Sequence, residues 1–124
     1  MMKKILLCDD DGDIVTLMQI IIKGMGYQFA SVERINDVKS LVEQENPDLV
    51  LMDLWIPDIG GEQAVKILKE NNSTKDIPVL LFSASEKLVE RATEIGADGC
   101  IQKPFDVRFL KDKIASMLQE KMGA

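Results

Sequence analysis

Five polar positions of this chain stand where apolar runs stop: Asp9 and Asp10, Asp53, Ser83 and Lys103. The runs before them are Ile5-Leu6-Leu7-Cys8, Leu49-Val50-Leu51-Met52, Val79-Leu80-Leu81-Phe82 and, less cleanly, Cys100-Ile101-Gln102. Short apolar runs bounded by turn signals read as buried parallel strands. If those strands lie side by side, three carboxylates, a hydroxyl and an ammonium converge at one sheet edge. Clustered carboxylates repel: at about 4 Å a pair costs roughly 1 kcal/mol in water and up to about 4 kcal/mol at an effective dielectric of 20. A hard divalent cation offsets that cost. Mg2+ suits the set, because it takes one or two carboxylates, keeps waters and accepts phosphate oxygens. Asp53 is then the natural nucleophile, since carboxylates form aspartyl phosphates and phosphoryl transfer depends on positioning and charge neutralisation. Ser83 can donate to a phosphoryl oxygen, and Lys103 supplies a compact cation on a flexible stem.

The elements that would position this set alternate along the chain. Apolar residues at Ile14, Leu17, Met18, Ile21, Ile22 and Met25 mark one helix face, ended by Gly24 and Gly26. Tyr27 to Val32 reads as a second strand. Ile35, Val38, Leu41 and Val42 mark a second helix, stopped before Pro47. Asp48 to Met52 is the third strand, and Pro57, Gly60 and Gly61 make Leu54 to Gly61 a loop. A third helix runs from about Glu62 to Asn71, with Ala64, Val65, Ile67 and Leu68 inward. The fourth strand is entered at Pro78. Leu88, Val89, Ala92 and Ile95 give a fourth helix stopped at Gly96, and Gly99 to Gln102 is the fifth strand. Val107, Leu110, Ile114, Met117 and Leu118 give a closing helix.

Five strands alternating with five helices predict an α/β fold: a doubly wound, flavodoxin-like parallel sheet of order 2-1-3-4-5. Its switch point lies between strands one and three, where Asp9, Asp10 and Asp53 would stand. The 124 residues fit one domain, with no DNA-binding or catalytic output domain after the last helix. That leaves either a stand-alone protein or a piece of a longer one.

Composition narrows the function. A net charge of −6 argues against direct nucleic-acid binding. No apolar stretch approaches the roughly 20 residues that span a bilayer, and no signal peptide is evident, so the chain reads as cytoplasmic and free of membrane contact. The absence of histidine removes every His-based mechanism. Cys8 and Cys100 read as reduced, buried small hydrophobes. Asp11 and Asp13 read as cap and first-turn residues of the first helix. Asp9, Asp11 and Asp13 have the spacing of a calcium-loop start, but Ile14 and Ile20 occupy its Gly and Glu positions, so that reading fails.

In sequence the pieces Lys4 to Asp11, Pro47 to Asp53, Ile56-Pro57-Asp58 ahead of Gly61, Ile77 to Ala84, Gly96-Ala97-Asp98 and Lys103-Pro104-Phe105 resemble the receiver domain of two-component response regulators. The resemblance covers nearly the whole chain. It implies a phosphoacceptor, Asp53, charged from the phosphohistidine of a sensor histidine kinase or phosphotransfer protein. It implies Mg2+ on Asp10, Asp53 and the backbone carbonyl of Trp55, with Asp9 acting through water. Ser83 would be the switch hydroxyl, Lys103 the pairing cation, and the bond before Pro104 cis. Output, and a homodimer contact, would use the fourth helix, fifth strand and fifth helix, where Phe109 is a candidate contact. Such a switch catalyses its own phosphorylation and dephosphorylation, and is not a conventional metabolic enzyme.

Two positions depart from the family pattern. Cys100 stands where an aromatic switch residue is frequent, and Trp55 where Met or a polar residue is usual. Trp55 either shields the phosphoryl group from water or packs over its loop. Two other functions compete: a small phosphatase of the haloacid dehalogenase type, suggested by Asp9-Asp10-Asp11-Gly12, and a receiver-like binding module that works without phosphorylation. The first lacks room for a cap domain and leaves Asp53 unexplained. The second has little reason to keep costly carboxylates.

Overall fold

A computed structural model describes residues 2–84 and 87–118, with the side chain of Val89 excepted. The inward assignment of Val89 and the ending Gly123-Ala124 therefore lie outside what is described. Strands β1 (Lys4–Cys8), β2 (Gln28–Val32), β3 (Leu49–Asp53), β4 (Val79–Ser83) and β5 (Gly99–Gln102) form one sheet of order β2-β1-β3-β4-β5. Every pairing is parallel. Between them run helices α1 (Gly12–Gly24), α2 (Val38–Glu45), α3 (Gly61–Glu70) and α4 (Leu88–Ile95), and α5 (Val107–Met117) follows β5. This is the flavodoxin-like, doubly wound architecture expected from the alternating pattern.

The two-residue period of a strand divides the apolar runs between two cores. Leu6, Cys8, Val50, Met52, Val79 and Leu81 pack beneath residues of α2, α3 and α4. Ile5, Leu7, Leu49, Leu51, Leu80 and Phe82 pack beneath α1 and α5. Each central strand is buried on both faces, which is why it reads as a continuous apolar run. Cys8 and Cys100 are free thiols belonging to the first core. Burial pushes the Cys8 thiol up to about 12, so it stays protonated and inert.

Three local assignments differ from the sequence pattern. On α1 the buried face is Met18, Ile21 and Ile22; Leu17 is exposed, and Ile14 and Met25 are only half-buried. Ile35 is buried but lies before α2, bridging to Asp58 in the β3–α3 loop; α2 begins after Asp37, whose carboxylate accepts from the Ser40 N–H at 3.0 Å. Ile67 is half-buried rather than fully inward. The cap readings hold: Asp11 accepts from Asp13 N at 2.9 Å and Ile14 N at 3.4 Å, and Gly96 ends α4 in the left-handed region at φ 88°.

At the sheet edge opposite the carboxylates, one lysine holds three segments together. The Lys69 ammonium donates to Asp98 at 2.6 Å and to the carbonyls of Lys75 and Ile77 at 3.1 and 3.0 Å. Asp98 also accepts from the Val79 N–H at 2.8 Å. All three donors of the ammonium are thus used. Lys69→Met keeps the stem and removes the donors, and should lower stability by about 1–2 kcal/mol in urea denaturation. A loss below about 0.5 kcal/mol would show that water replaces the network at no cost.

Candidate functional site

The strand ends gather the acids at the switch point. β1 lies between β2 and β3, and its register with β3 (Cys8 beside Met52) sets Asp9 and Asp53 at equivalent levels. One carboxylate oxygen from each of Asp9, Asp10 and Asp53 lies within 4.8 Å of the others. Asp9 is fully buried and Asp53 is 7% exposed, while Asp10 faces solvent. The cluster is therefore a shallow acid cup with one open side. A donor set of three hard oxygens, two of them nearly dry, fits Mg2+ and excludes softer thiolate- or imidazole-seeking metals.

Both oxygens of Asp9 are engaged. One accepts from the Asp11 N–H at 2.9 Å and the other from the Lys103 ammonium at 3.1 Å. That ammonium is 3.9 Å from Asp53. Burial first, then the charge of Asp9, pushes the Asp53 carboxyl above its ordinary 3.8. Lys103 and the Trp55 N–H, 3.4 Å from its oxygen, oppose the rise, and Asp10 adds to it. The environment thus disfavours a lone negative charge on Asp53, which a bound cation would reverse.

The supporting loops are pinned by backbone contacts. Leu54 donates to the Phe82 carbonyl at 3.0 Å and Gly61 to the Leu54 carbonyl at 2.9 Å, closing the β3–α3 loop over Asp53. A Cβ on Gly61 would collide with the Asp53 carbonyl oxygen and come within 2.7 Å of the Leu54 Cα, so only glycine fits. Arg34 grips Asp58 of this loop through two bonds of 3.1 and 3.0 Å, and Asp58 itself has φ 78°. Lys103 is rooted by its N–H on the Ser83 carbonyl at 2.8 Å, and the bond to Pro104 is cis, as the resemblance implied.

Four of the five strand-end residues, Asp9, Asp10, Asp53 and Lys103, therefore come together as the apolar runs suggested. Ser83 is 1% exposed at the end of β4, the strand beside β3. Cys100 is half-buried and packs on the α2–α4 side of the sheet, where it presents no ring. Trp55 does not pack over its loop: it is 72% exposed, bordering an open groove of about 500 Å3 with Ile59, Gly60, Lys87 and Arg91. Asp11 is committed to capping α1, so it does not join Asp9 as the paired acid of a dehalogenase-type loop. One contributor went unread in sequence. Phe82, register partner of Asp53, lies with its ring centroid 4.8 Å from the Lys103 ammonium. Its apolar run signalled only a buried strand.

Comparison with known proteins agrees with this geometry. The family model described as the response regulator receiver domain matches residues 5–115. The phosphate regulon transcriptional regulatory protein PhoB of Pseudomonas aeruginosa is 29% identical over 119 residues, 94% of this chain and 52% of that protein. The alkaline phosphatase synthesis transcriptional regulatory protein PhoP of Bacillus subtilis is 30% identical over 121 residues, 96% of this chain and 50% of that protein. The chain thus spans about half the length of these curated relatives. They are named as transcriptional regulators, so the comparisons lend no support to the expectation of no direct nucleic-acid binding. Among solved structures, the receiver domain of a sensor histidine kinase from Pseudomonas aeruginosa PAO1 superposes with a TM-score of 0.86 at 20% identity, covering 97% of this chain and all of that one. That protein carries a magnesium ion coordinated in its active-site cleft. No helix among the described residues is long and apolar enough to cross a membrane. A sheet wound in the order 2-1-3-4-5 and a family match over nearly its whole length place this chain in the receiver-domain family of two-component response regulators.

Proposed function

We propose that this receiver is a phosphorylation-controlled switch in which Asp53 accepts a phosphoryl group from the phosphohistidine of a sensor histidine kinase or phosphotransfer protein. The observation that carries the reading is the acid cup itself: three carboxylate oxygens within 4.8 Å, with the Lys103 ammonium beside them. In the transfer the ionised Asp53 oxygen attacks phosphorus, the phosphorus–nitrogen bond breaks, and the electron pair leaves with the imidazole of the donor. Asp10, Asp53 and the Trp55 carbonyl would hold Mg2+, with Asp9 reaching it through water. The bound ion would neutralise charge on the phosphoryl oxygens during transfer. Lys103, 3.9 Å from Asp53, offsets the charge that the acyl phosphate adds, and Ser83 donates to a phosphoryl oxygen.

Output follows by population shift of a bistable surface. The proposed surface is α4, β5 and α5, where Phe109 is 54% and Val107 41% exposed, and the same face would serve a homodimer or a protein partner. Cys100 leaves this route without a rotating ring, so the loop after Ser83 and α4 itself would carry the change. Residues 1–124 would act as one receiver domain, in the cytoplasm with the kinase. Incubation with acetyl phosphate and Mg2+ should add a single phosphoryl group and then stop. Sustained turnover of a phosphomonoester would favour the phosphatase instead.

Trp55 bears on how long the signal lasts. Its ring stands in solvent while its backbone N–H faces the Asp53 carboxylate at 3.4 Å. Bulk there hinders an attacking water, so the phosphorylated form should be long-lived. Trp55→Asn should lose its phosphoryl group at least about threefold faster, roughly 0.7 kcal/mol off the hydrolysis barrier. An unchanged decay rate would remove the shielding role.

A further inference from the structure

The Lys103 ammonium is held at its post by a contact that no part of the acid cup supplies. A lysine side chain is long, flexible and rich in rotamers, so pointing its charge at one site has an entropic cost. The root is fixed by the Lys103 N–H on the Ser83 carbonyl. The side chain is 20% exposed, and its tip lies 3.1 Å from Asp9 and 3.9 Å from Asp53. Between root and tip the ammonium lies 4.8 Å from the centroid of the Phe82 ring. Phe82 is 1% exposed and sits on β4 directly beside Asp53, with Ile101 of β5 on its other side. Its ring therefore cannot swing away without disturbing the core beneath α1 and α5.

We propose that Phe82 is a positioning residue for phosphoryl transfer: its ring face draws the Lys103 ammonium by a cation–π contact and keeps it between Asp9 and Asp53. The inference rests on the reading of Lys103 given above. The negative face of an aromatic ring attracts a cation most where water is scarce, and this ring is dry. An aliphatic residue of similar size would fill the same core position but exert no such pull. Were Asp9 to engage a metal-bound water, the ring would remain as the partner that keeps the ammonium near the phosphoryl oxygens.

The test uses the full chain and the variants Phe82→Leu, Lys103→Gln and their combination. By NMR, the ε-methylene protons of Lys103 in the unaltered protein should be shifted upfield by the ring, relative to those of Lys66, and should return to the ordinary lysine position in Phe82→Leu. An ordinary Lys103 signal in the unaltered protein would overturn the proposal, whatever the stability of the variant. With acetyl phosphate and Mg2+, Phe82→Leu should slow phosphorylation roughly fivefold. In the Lys103→Gln background the same change should alter the rate by less than about twofold. An equal slowing in both backgrounds would mean that Phe82 acts only by packing, and would overturn the proposal. If Lys103→Gln alone phosphorylates at the unaltered rate, the role of Lys103 fails and the proposal with it. The ring shift distinguishes that failure from a missing contact.

Discussion

Gly61→Ala is expected to destabilise the fold by about 2–3 kcal/mol and to slow phosphorylation of Asp53 at the same time. The cause is steric and local. Gly61 is the first residue of α3, and a methyl group there meets the Asp53 carbonyl oxygen and lies 2.7 Å from the Leu54 Cα. Both neighbours are backbone, so no side chain can rotate aside. Either α3 retreats from the sheet, opening the core under Ala64 and Val65, or the end of β3 shifts and moves Asp53 relative to Asp9 and Asp10. The first route lowers stability and the second disables the site, and the real variant should show both. Gly24→Ala is the control: nothing lies within 4 Å of its added methyl group. It should be neutral or stabilising by about 0.5 kcal/mol, through the reduced entropy of the unfolded chain. Urea denaturation of both variants checks this. A Gly61→Ala protein as stable as the unaltered one would refute the close approach of α3 to β3.

Asp53→Asn should make the metal-free protein more stable and at the same time abolish its stabilisation by Mg2+. Burial and the charge of Asp9 push the Asp53 carboxyl above 3.8 despite the nearby Lys103, so the net environment disfavours its charged form. A neutral amide of the same shape relieves that, by on the order of 1 kcal/mol at neutral pH. Because the folded value is the raised one, Asp53 binds its proton more tightly in the native state. Its contribution to stability is present at low pH and is lost as pH rises from about 4 through the folded value. The stability advantage of Asp53→Asn over the unaltered protein should therefore grow as pH rises above about 4. Asp37, Asp58 and Glu62, lowered by bonds to Ser40, Arg34 and Arg91, slope the opposite way in both proteins and cancel in the difference. Adding Mg2+ at ten times its dissociation constant should stabilise the unaltered protein by about 1.4 kcal/mol and leave Asp53→Asn unmoved. Thermal melts across pH, with and without the ion, decide both points. An advantage that shrinks with rising pH, or a variant that still responds to Mg2+, would contradict this electrostatic account.

The sheet was legible because three of its strands are buried on both faces, so Ile5 to Cys8, Leu49 to Met52 and Val79 to Phe82 appear as unbroken apolar runs. The acid cup was legible for the same reason: Asp9 and Asp53 interrupt those runs at equivalent ends. Helix faces were harder to read. On α1, Leu17 keeps the spacing of the buried stripe yet is 38% exposed, and spacing alone does not rank it below Met18. Ile35 keeps helical spacing to Val38 and Val42, yet the cap at Asp37 starts the helix after it. What no local pattern carries is contact between distant segments. The Lys69–Asp98 knot, the seat of Gly61 against Asp53 and the Phe82 ring near Lys103 arise only once strands and helices are placed.

The most direct test of the central claim is peptide-level mass spectrometry after incubation with Mg2+ and acetyl phosphate. One phosphoryl group is expected, located on the peptide containing Asp53, absent when Mg2+ is chelated and absent in Asp53→Ala. A phosphoryl group on any other residue, or undiminished labelling of Asp53→Ala, would contradict it.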